Sequence, residues 1–172
     1  DGKTIVVTGG GTGLGKEMVL AMAKAGADTV VASRRTEPIE EVASLARDTG
    51  TRSIAVSTDV TDSAQVERLF QAALDEFGKV DVLFNNVGIV RGQGGIPLWE
   101  ITDDEWRLGI DTNLTGAFYC SRAVAKHMAD RGEGKIINVS SGFGLRGGRD
   151  NYMYTTAKGG VLQLTRTLAM SL

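Results

Sequence analysis

The feature that most constrains the fold of this chain is an alternation of short β-branched runs with longer segments of helical periodicity. Five apolar runs predict strands over residues 4–8, 29–33, 53–58, 80–85 and 135–140. Apolar residues at helical spacing predict helices over residues 16–25, 37–49, 63–77, 103–129 and 151–172. Residues 103–129 form one long helix or a broken pair, and Ser63 is the expected N-cap of its helix. Such alternation implies right-handed crossovers and a parallel sheet covered on both faces.

The expected fold class is therefore α/β, a Rossmann-like, doubly wound parallel sheet in three layers. The chain has 172 residues, of which 42% are hydrophobic. This length allows one domain with a sizeable core and is too short for two ordinary domains. No internal repeat or linker divides the sequence, so residues 1–172 are expected to form a single domain.

Composition excludes several classes of partner. The formal net charge of -2 provides no basic surface for nucleic acid or for an anionic membrane, so neither partner is expected. Cys120 is the single cysteine and cannot form an internal disulfide. No apolar stretch reaches the length of a membrane span, and no secretion signal opens the sequence. A cytoplasmic location is expected.

A glycine-rich loop follows the first predicted strand, with the sequence Thr8-Gly9-Gly10-Gly11-Thr12-Gly13-Leu14-Gly15. In such a sheet, ligands bind at the carboxyl ends of the strands, where the winding reverses. The helix after the loop would direct its amide N–H groups and positive dipole end at the loop, which suits a pyrophosphate. An ordinary glycine-rich turn is the alternative, because this motif alone is not specific.

A tyrosine and a lysine lie four residues apart near the C-terminal end of the chain. Residues at this spacing share a helix face, so the ammonium of Lys158 can lie near the phenol of Tyr154. A neighbouring positive charge favours the phenolate, which could exchange a proton with a carbonyl or alcohol oxygen. A solvated helix face is the alternative interpretation of this pair alone.

Further polar residues stand where a site would need them. Ser140 and Ser141 end the fifth predicted strand, where a hydroxyl could hydrogen-bond a substrate oxygen or merely cap a turn. Asn113 interrupts an apolar helical stretch, where its amide has a functional role or satisfies neighbouring backbone.

The ends of the third and fourth predicted strands carry the same kind of residue. Asp59 and Val60 follow the third strand, and Asn85, Asn86 and Gly88 follow the fourth. These residues could brace the sheet and line a cofactor cleft. Each of these short motifs, taken alone, is also typical of a turn.

Together these residues resemble the classical short-chain dehydrogenase/reductase family over essentially the whole chain. Three motifs carry the resemblance, namely the glycine loop of residues 8–15, Asn85-Asn86-x-Gly88 and Tyr154-x-x-x-Lys158. Ser141 precedes Tyr154 by the spacing of the family's catalytic serine, and Asn113 occupies the place of its catalytic asparagine.

The resemblance implies a role for each of the four catalytic candidates. Tyr154 is the general acid/base, and Lys158 holds the nicotinamide ribose and favours the phenolate. Ser141 polarises the carbonyl, and Asn113 helps to order a proton-relay water. The expected cofactor-binding residues are Gly9, Gly11, Thr12, Gly13, Leu14, Gly15, Ser33, Arg34, Arg35, Asp59, Val60, Asn86, Gly88, Tyr154 and Lys158. No metal is implied, and the lone His127 is expected to be a surface residue.

The function that the resemblance implies is hydride transfer between a nicotinamide cofactor and a small carbonyl or alcohol substrate. A ketone reductase, an alcohol dehydrogenase and a 3-oxoacyl reductase-like enzyme are the candidates. A non-catalytic dinucleotide-binding scaffold or sensor is the alternative, because fold and cofactor loop do not establish catalysis. Family members continue past the position of Leu172 with further strands, so the chain is expected to lack the last strands of the family fold.

The end of the second predicted strand favours NADP over NAD. Sites that prefer NAD commonly place an acidic residue there, to hydrogen-bond the ribose hydroxyls. This chain has Ser33 followed by Arg34 and Arg35, whose guanidinium groups could bind a 2′-phosphate. Either arginine could instead point into water, and Glu37 could neutralise one of them, so NAD is the second choice.

Two further expectations concern the substrate and assembly. Arg91, Arg146 and Arg149 follow the fourth and fifth strands, which allows an anionic substrate, although charged loop residues are usually solvated. The helices of residues 111–129 and 151–172 carry more apolar residues than one covered face requires. The resemblance implies that they pack against a second copy in a homodimer or homotetramer.

Overall fold

A computed structural model describes residues 2–90 and 96–172. The strands of these residues are β1 (Thr4–Thr8), β2 (Asp28–Ser33), β3 (Ser53–Ser57), β4 (Val82–Asn85) and β5 (Lys135–Asn138). The α-helices are α1 (Gly13–Lys24), α2 (Thr36–Arg47), α3 (Ser63–Phe77), α4 (Asp103–Ile110), α5 (Gly116–Arg131), α6 (Gly142–Arg146) and α7 (Tyr152–Ser171). A 3-10 turn spans Leu98–Glu100, and a π-helical turn spans Asp111–Thr115.

The strands form one parallel sheet with the order β3-β2-β1-β4-β5. The central β1 pairs with both neighbours, so that Val6 lies opposite Val30 on one side and Leu83 on the other. The chain winds outward through β2 and β3 and then returns to pair β4 with β1. This arrangement confirms the predicted Rossmann-like sheet and places its switch point between β1 and β4.

Helices cover the sheet in two layers. On one face, Val6 and Leu83 pack with residues of α3 and α5, including Leu69 and Val124. On the other face, apolar residues of β1 and β2 pack with α1 and α2, as Val7 does with Val19 and Ile39. Burial on both faces explains why β1 and β2 are apolar runs without polar alternation.

The edge strand β5 departs from the expectation that both faces are covered. Ile136 packs against the cluster beneath α5, whereas the next residue, Ile137, is 40% exposed on the opposite face. The register places Ile137 beside Phe84 of β4, which is only half-buried. Within the described residues, the cluster under α1 and α2 extends as far as Phe84 and does not include Ile137.

The helix of residues 63–77 begins where the sequence predicts, but its cap is different. Asp62, not Ser63, is the N-cap, and its Oδ1 accepts hydrogen bonds from the amides of Ala64 and Gln65. Asp62 has the extended backbone of a cap residue, with φ -104° and ψ 107°, while Ser63 is already helical. The prediction of Ser63 as the cap was therefore wrong by one residue.

The segment predicted as one long helix or a broken pair is a continuous helix with one wide turn. The π-helical turn joins α4 to α5 without an intervening loop. At its centre, the side-chain amide of Asn113 donates to the carbonyl of Gly109, 2.8 Å away. The backbone N–H of residue 113 would reach this carbonyl in an α-helix, so a side chain has entered the hydrogen-bond ladder.

His127 is half-buried and has a structural partner, contrary to the expectation of a surface residue. Its Nε2 accepts a hydrogen bond of 3.2 Å from the amide of Val80, which precedes β4. Arg131 donates to the carbonyl of the same residue at 3.1 Å. These two bonds attach the end of α5 to the start of the strand. Separately, none of the helices in residues 2–90 and 96–172 is long and apolar enough to cross a membrane.

A buried carboxylate joins the amino ends of the strands. Asp81 is only 4% exposed, and its carboxylate accepts from the amide of Thr4 at 2.8 Å and from Arg131 at 2.9 Å. Lys79 and Lys3 lie 3.2 and 3.6 Å away. Burial alone would raise the pKa of Asp81, but hydrogen bonds from Arg131, Thr4 and Lys79 outweigh it and hold this pKa well below its usual range.

Replacing Asp81 by asparagine should lower the free energy of unfolding at pH 7 by about 3 kcal/mol, because the cations around a buried carboxylate lose their partner. A depressed pKa in the folded protein contributes stability above about pH 4, the unfolded pKa, and this contribution disappears as the pH falls towards the folded pKa. The stability difference between the unmutated protein and Asp81→Asn, measured by urea denaturation, should therefore shrink below about pH 4.

Asp130→Asn is the matched control, because Asp130 also forms an ion pair, with Lys126 on the exposed surface of α5. Its loss should stay below about 0.5 kcal/mol. Equal losses in the two variants would contradict a special role for Asp81.

Candidate active site

A cleft of about 550 Å³ lies at the carboxyl ends of the strands, where the strand order reverses. Most of the predicted cofactor-binding residues line it. They are Gly9, Gly11, Thr12, Ser33, Arg34, Arg35, Asp59, Val60, Asn86 and Gly88. The predicted Gly13, Leu14, Gly15, Tyr154 and Lys158 are not part of this lining.

Six lining residues were missed by the sequence analysis. Thr58 and Thr61 flank the predicted Asp59-Val60 pair, and Val87 and Ile89 belong to the segment after β4. Their place after strand ends was a signal that could have found them. Leu108 and Thr112 come from the α4 region, and no sequence pattern connects them with the cleft.

The glycine loop is built around one close contact between backbones. A Cβ atom added at Gly15 would overlap the carbonyl oxygen of Gly9 and lie 2.6 Å from the Nδ2 of Asn86. Gly13 has φ +53° at the start of α1, and a Cβ there would meet open space. Gly15 is therefore required for packing, whereas Gly13 supplies a backbone conformation that other residues rarely adopt.

The N-terminus of α1 is free of local neutralising groups. Its N-cap, Thr12, makes no side-chain cap bond, and no acidic residue occupies the first turn. The amide N–H groups of this turn therefore keep their positive potential beside Gly11 and Thr12, which line the cleft. Together with the close approach that glycine permits, this end of the cleft fits the pyrophosphate of a dinucleotide.

Asn86 lines the cleft and also braces the glycine loop. Its side-chain amide donates to the carbonyls of Thr8 and Gly9, at 3.2 and 3.3 Å. Its backbone amide donates to the hydroxyl of Thr8 at 3.1 Å, and that hydroxyl donates to the carbonyl of Phe84. The ends of β1 and β4 are thereby locked together at the switch point.

Asn113 is 1% exposed, and its side chain holds the segment after β4. Its Oδ1 accepts from the amide of Ile89 at 3.0 Å, and its Nδ2 donates to the carbonyl of Ile89 at 3.1 Å. With the bond to Gly109, both of its N–H groups have acceptors. The side chain itself therefore positions backbone around the cleft.

Lys158 is almost completely buried, at 3% exposure, with its ammonium near the inner end of the cleft. Nζ donates to the carbonyl of Val139 at 2.8 Å. A Cβ at Gly88 would lie 3.4 Å from Nζ, so the lining glycine leaves room for the ammonium. Burial lowers the pKa of Lys158, because water that would solvate the charge is excluded.

Tyr154 lies one helical turn before Lys158 on α7, and its side chain is half-buried. The Lys158 Nζ is 5.7 Å from the centroid of the Tyr154 ring. The structure therefore brings the predicted pair onto one face of α7. At this range the ammonium forms a cation–π contact with the ring.

Ser141 does not belong to β5, which ends at Asn138. It is the N-cap of the five-residue helix α6, and its Oγ accepts from the amide of Phe143 at 3.2 Å. The sequence analysis missed α6 and treated Ser141 as the end of a strand. Because Oγ accepts in the cap bond, its O–H remains able to donate to a substrate oxygen.

The arginines considered for an anionic substrate have different environments. Arg146 lies over the ring of Phe143, with 5.9 Å to the centroid. Arg149 is 96% exposed beside Asp150, with 3.5 Å between Nε and a carboxylate oxygen. Arg91 lies outside the described residues. Neither described arginine lines the cleft.

This arrangement can do three things chemically. It can bind an elongated, phosphate-containing ligand along the strand ends, with the α1 N-terminus at its centre. It holds a phenol beside a buried ammonium, where a proton can be given or taken. It also presents a serine hydroxyl at the end of the neighbouring segment for a developing oxyanion.

A family model described as short chain dehydrogenase matches residues 3–172. Cis-4-hydroxycyclohexanecarboxylate dehydrogenase of Sinomonas cyclohexanicum is 38% identical over 98% of this chain and 67% of that protein. A 3-oxoacyl-[acyl-carrier-protein] reductase of Synechocystis sp. is 38% identical over 97% of this chain and 67% of that protein. The chain thus spans about two thirds of the length of these curated relatives.

Solved structures agree closely in fold. A metagenomic short-chain oxidoreductase in complex with NADP superposes with a TM-score of 0.94 at 30% identity, covering 100% of this chain and 77% of that one. An NAD+-bound xylitol dehydrogenase superposes with a TM-score of 0.93 at 31% identity, covering 99% of this chain and 65% of that one.

Proposed function

The chain belongs to the short-chain dehydrogenase family, and from this premise we propose that it transfers a hydride between NADP(H) and a small carbonyl or alcohol. In this proposal, residues 1–172 are one dinucleotide-binding domain that carries the active site. A cytoplasmic location is part of the same proposal and agrees with a single cysteine, Cys120, that is buried.

The observation that carries the proposal is the position of the Tyr154 and Lys158 pair. The buried ammonium lies 5.7 Å from the phenol ring and beside Gly88, which lines the cleft that fits a dinucleotide. A chain that only bound a dinucleotide would have no need to bury a lysine charge next to a tyrosine at the end of the cleft.

In this proposal the catalytic candidates keep the roles that the family resemblance implies. Tyr154 donates a proton to the carbonyl oxygen during reduction and accepts one from the alcohol during oxidation. Lys158, whose ammonium lies 5.7 Å from the centroid of the Tyr154 ring, would hold the nicotinamide ribose. Ser141 donates its free O–H to the substrate oxygen as charge develops.

Asn113 contributes by placing backbone, and a small cavity beside it supports a proton path. This cavity has room for a single water molecule and is lined by Asn113, Lys158, Thr8 and Asn85 among others. The Oδ1 of Asn85 is buried and accepts no hydrogen bond from the described residues, so it could accept one from such a water. A water there would connect the Lys158 ammonium with the surroundings of Asn113.

A bound nicotinamide dinucleotide would supply the hydride chemistry. Gly9, Gly11 and Thr12 would surround its pyrophosphate at the α1 N-terminus, and Ser33 with Arg34 would meet its adenosine ribose. For the substrate we propose a small ketone, cyclic alcohol or 3-oxoacyl group. The support is the similarity to relatives named as a hydroxycyclohexanecarboxylate dehydrogenase and a 3-oxoacyl-carrier reductase.

Tyr154→Phe tests the catalytic role. Turnover in the full-length protein should fall at least about 100-fold, because the phenyl ring cannot exchange a proton, while the cofactor dissociation constant should hardly change. Steady-state kinetics with a panel of ketones, sugars and acyl thioesters, together with cofactor titration, measure both quantities.

Tyr152→Phe is the matched control, since the Tyr152 hydroxyl on the same helix has a weak contact with Asp150 at 3.4 Å. It should keep nearly normal turnover. Near-normal turnover in Tyr154→Phe would remove Tyr154 from the mechanism. Cofactor binding without turnover of any substrate would favour the non-catalytic scaffold.

Cofactor choice is the next prediction. Arg34 and Arg35 are exposed and line the cleft beyond β2, where two charged hydrogen bonds would hold a 2′-phosphate. At roughly 1.5 to 3 kcal/mol each, such bonds give NADP a preference of about 100-fold or more in dissociation constant. Arg34→Ala should weaken NADP binding more than NAD binding, so that the ratio of the two dissociation constants becomes smaller.

Arg68→Ala on α3 removes the same charge at an exposed position outside the cleft lining and should leave the ratio of the two dissociation constants unchanged. Equal affinity of the unmutated protein for NAD and NADP would refute the assignment.

The proposal also includes an oligomeric state, in which copies of the chain form a homodimer or homotetramer through α5 and α7. Phe118 on α5 and Met170 on α7 are large apolar residues with exposed side chains. A self-complementary interface would cover them. Light scattering at micromolar concentration should give the mass of two or four chains, and a strictly monomeric protein would contradict this prediction.

A further inference from the structure

The short helix α6 touches α7 through backbone atoms. A Cβ built at Gly144 would lie 2.7 Å from the carbonyl carbon and oxygen of Lys158, and 2.9 Å from the amide nitrogen of Gly159. In the reverse direction, a Cβ at Gly159 would lie 3.3 Å from the carbonyl oxygen of Gly144. No side chain separates the two helices at this point, so glycine at 144 sets how closely they approach.

The same crossing is fixed by two hydrogen bonds that hold both ends of one residue. The hydroxyl of Ser140 donates to the carbonyl oxygen of Lys158 at 2.8 Å. The ammonium of Lys158 donates to the carbonyl of Val139 at 2.8 Å. The backbone and the side chain of Lys158 are therefore both attached to the segment that connects β5 with α6.

We propose that Gly144 and Ser140 are positioning residues that set the separation between the Ser141 hydroxyl and the Tyr154 phenol. Ser141 follows Ser140 directly and caps α6, while Tyr154 lies one turn before Lys158 on α7. The crossing thus controls the distance between the two helices that carry these groups. This inference rests on the proposed function, in which both groups contact the same substrate oxygen.

The effect of a wrong separation would be specific. A displacement of about 1 Å in a catalytic group can cost about 100-fold in rate, because the reacting atoms are no longer aligned. The lining of the dinucleotide cleft comes from other segments, namely the ends of β1 to β4 and the α4 region. Widening the α6–α7 crossing leaves this lining in place and affects the cofactor only through the proposed ribose contact of Lys158, so kcat should fall far more than cofactor affinity.

A series of three glycine-to-alanine variants measures this distance dependence. Gly142 is the matched control, because it lies in the same helix as Gly144 and a Cβ there meets nothing within 4 Å. We expect Gly144→Ala to lower kcat at least about tenfold, Gly159→Ala to lower it less, and Gly142→Ala to leave it nearly unchanged. The cofactor KM should change much less than kcat in each variant.

Ser140 provides a second, milder set of variants in case Gly144→Ala does not fold. Ser140→Ala should lower kcat at least about tenfold, and Ser140→Thr, which retains the hydroxyl, should restore most of it. Thr165→Val is the control, since Thr165 accepts a 2.9 Å bond from Asn138 that also joins β5 to α7, far from Tyr154. This variant should keep its turnover.

A double-mutant cycle separates positioning from general destabilisation. If Ser140 acts through Ser141, Ser140→Ala should have little further effect on kcat once Ser141→Ala has removed the hydroxyl that it positions. A merely structural contribution would cost the same factor in both backgrounds, which would overturn the proposal. Equal turnover of Gly142→Ala and Gly144→Ala would overturn it as well.

Hydrogen exchange tests the crossing without any substrate. The amide of Phe143 donates to Ser141 Oγ, so its exchange should become faster in Ser140→Ala and stay unchanged in Thr165→Val. If the unmutated protein turns over no carbonyl or alcohol, the proposed function fails, and this experiment still decides on the crossing. Unchanged exchange in Ser140→Ala would then reject the positioning role.

Discussion

The site depends on the burial of one positive charge, the ammonium of Lys158. An ammonium taken out of water must be compensated, and here the carbonyl of Val139 accepts its hydrogen bond. That carbonyl lies in the segment after β5, so the charge is held only if α7 packs closely against this segment. The lowered pKa of Lys158 shows the cost of the arrangement, and the ring of Tyr154 lies 5.7 Å from the ammonium.

Close packing at the carboxyl edge of the sheet explains where several glycines of the chain occur. Gly88 leaves room for Nζ, Gly144 allows α6 to reach the backbone of Lys158, and Gly15 allows α1 to reach the loop after β1. At each position a Cβ would contact backbone or a functional side chain. These three glycines are thus a consequence of bringing several segments together at the carboxyl edge of a single sheet.

The parts of the fold with local causes could be predicted from the sequence. β1 has the predicted bounds of residues 4–8 because both of its faces are buried, which leaves an uninterrupted apolar run. The larger helices also lie where apolar periodicity placed them. The N-cap of α3 shows the limit of such predictions, because Ser63 was expected and Asp62 is observed. Both residue types can cap a helix, and only the backbone conformation distinguishes them.

Features that depend on contacts distant in sequence could not be predicted. Helix α6 is five residues long and contains two glycines, so its stability comes from α7 and not from its own propensity. Leu108 reaches the cleft only because the α4 region folds over the end of β4. For the site, the motifs indicated which residues belong together, but the engagement of the Asn113 amide with Ile89 and Gly109 required the fold.

Helices α4 and α5 are continuous through the π-helical turn at Asp111–Thr115. The orientation of one helix relative to the other therefore depends on the number of residues in that turn. Each residue added to a helix rotates everything beyond it by about 100°. With the wide turn in place, Leu108 points from the helix axis towards the cleft and Cys120 points towards the core. Deleting one residue here would turn one of these faces away from its partner although every side chain were preserved. The number of residues in this segment is therefore a structural constraint of its own, separate from the contacts of the side chains.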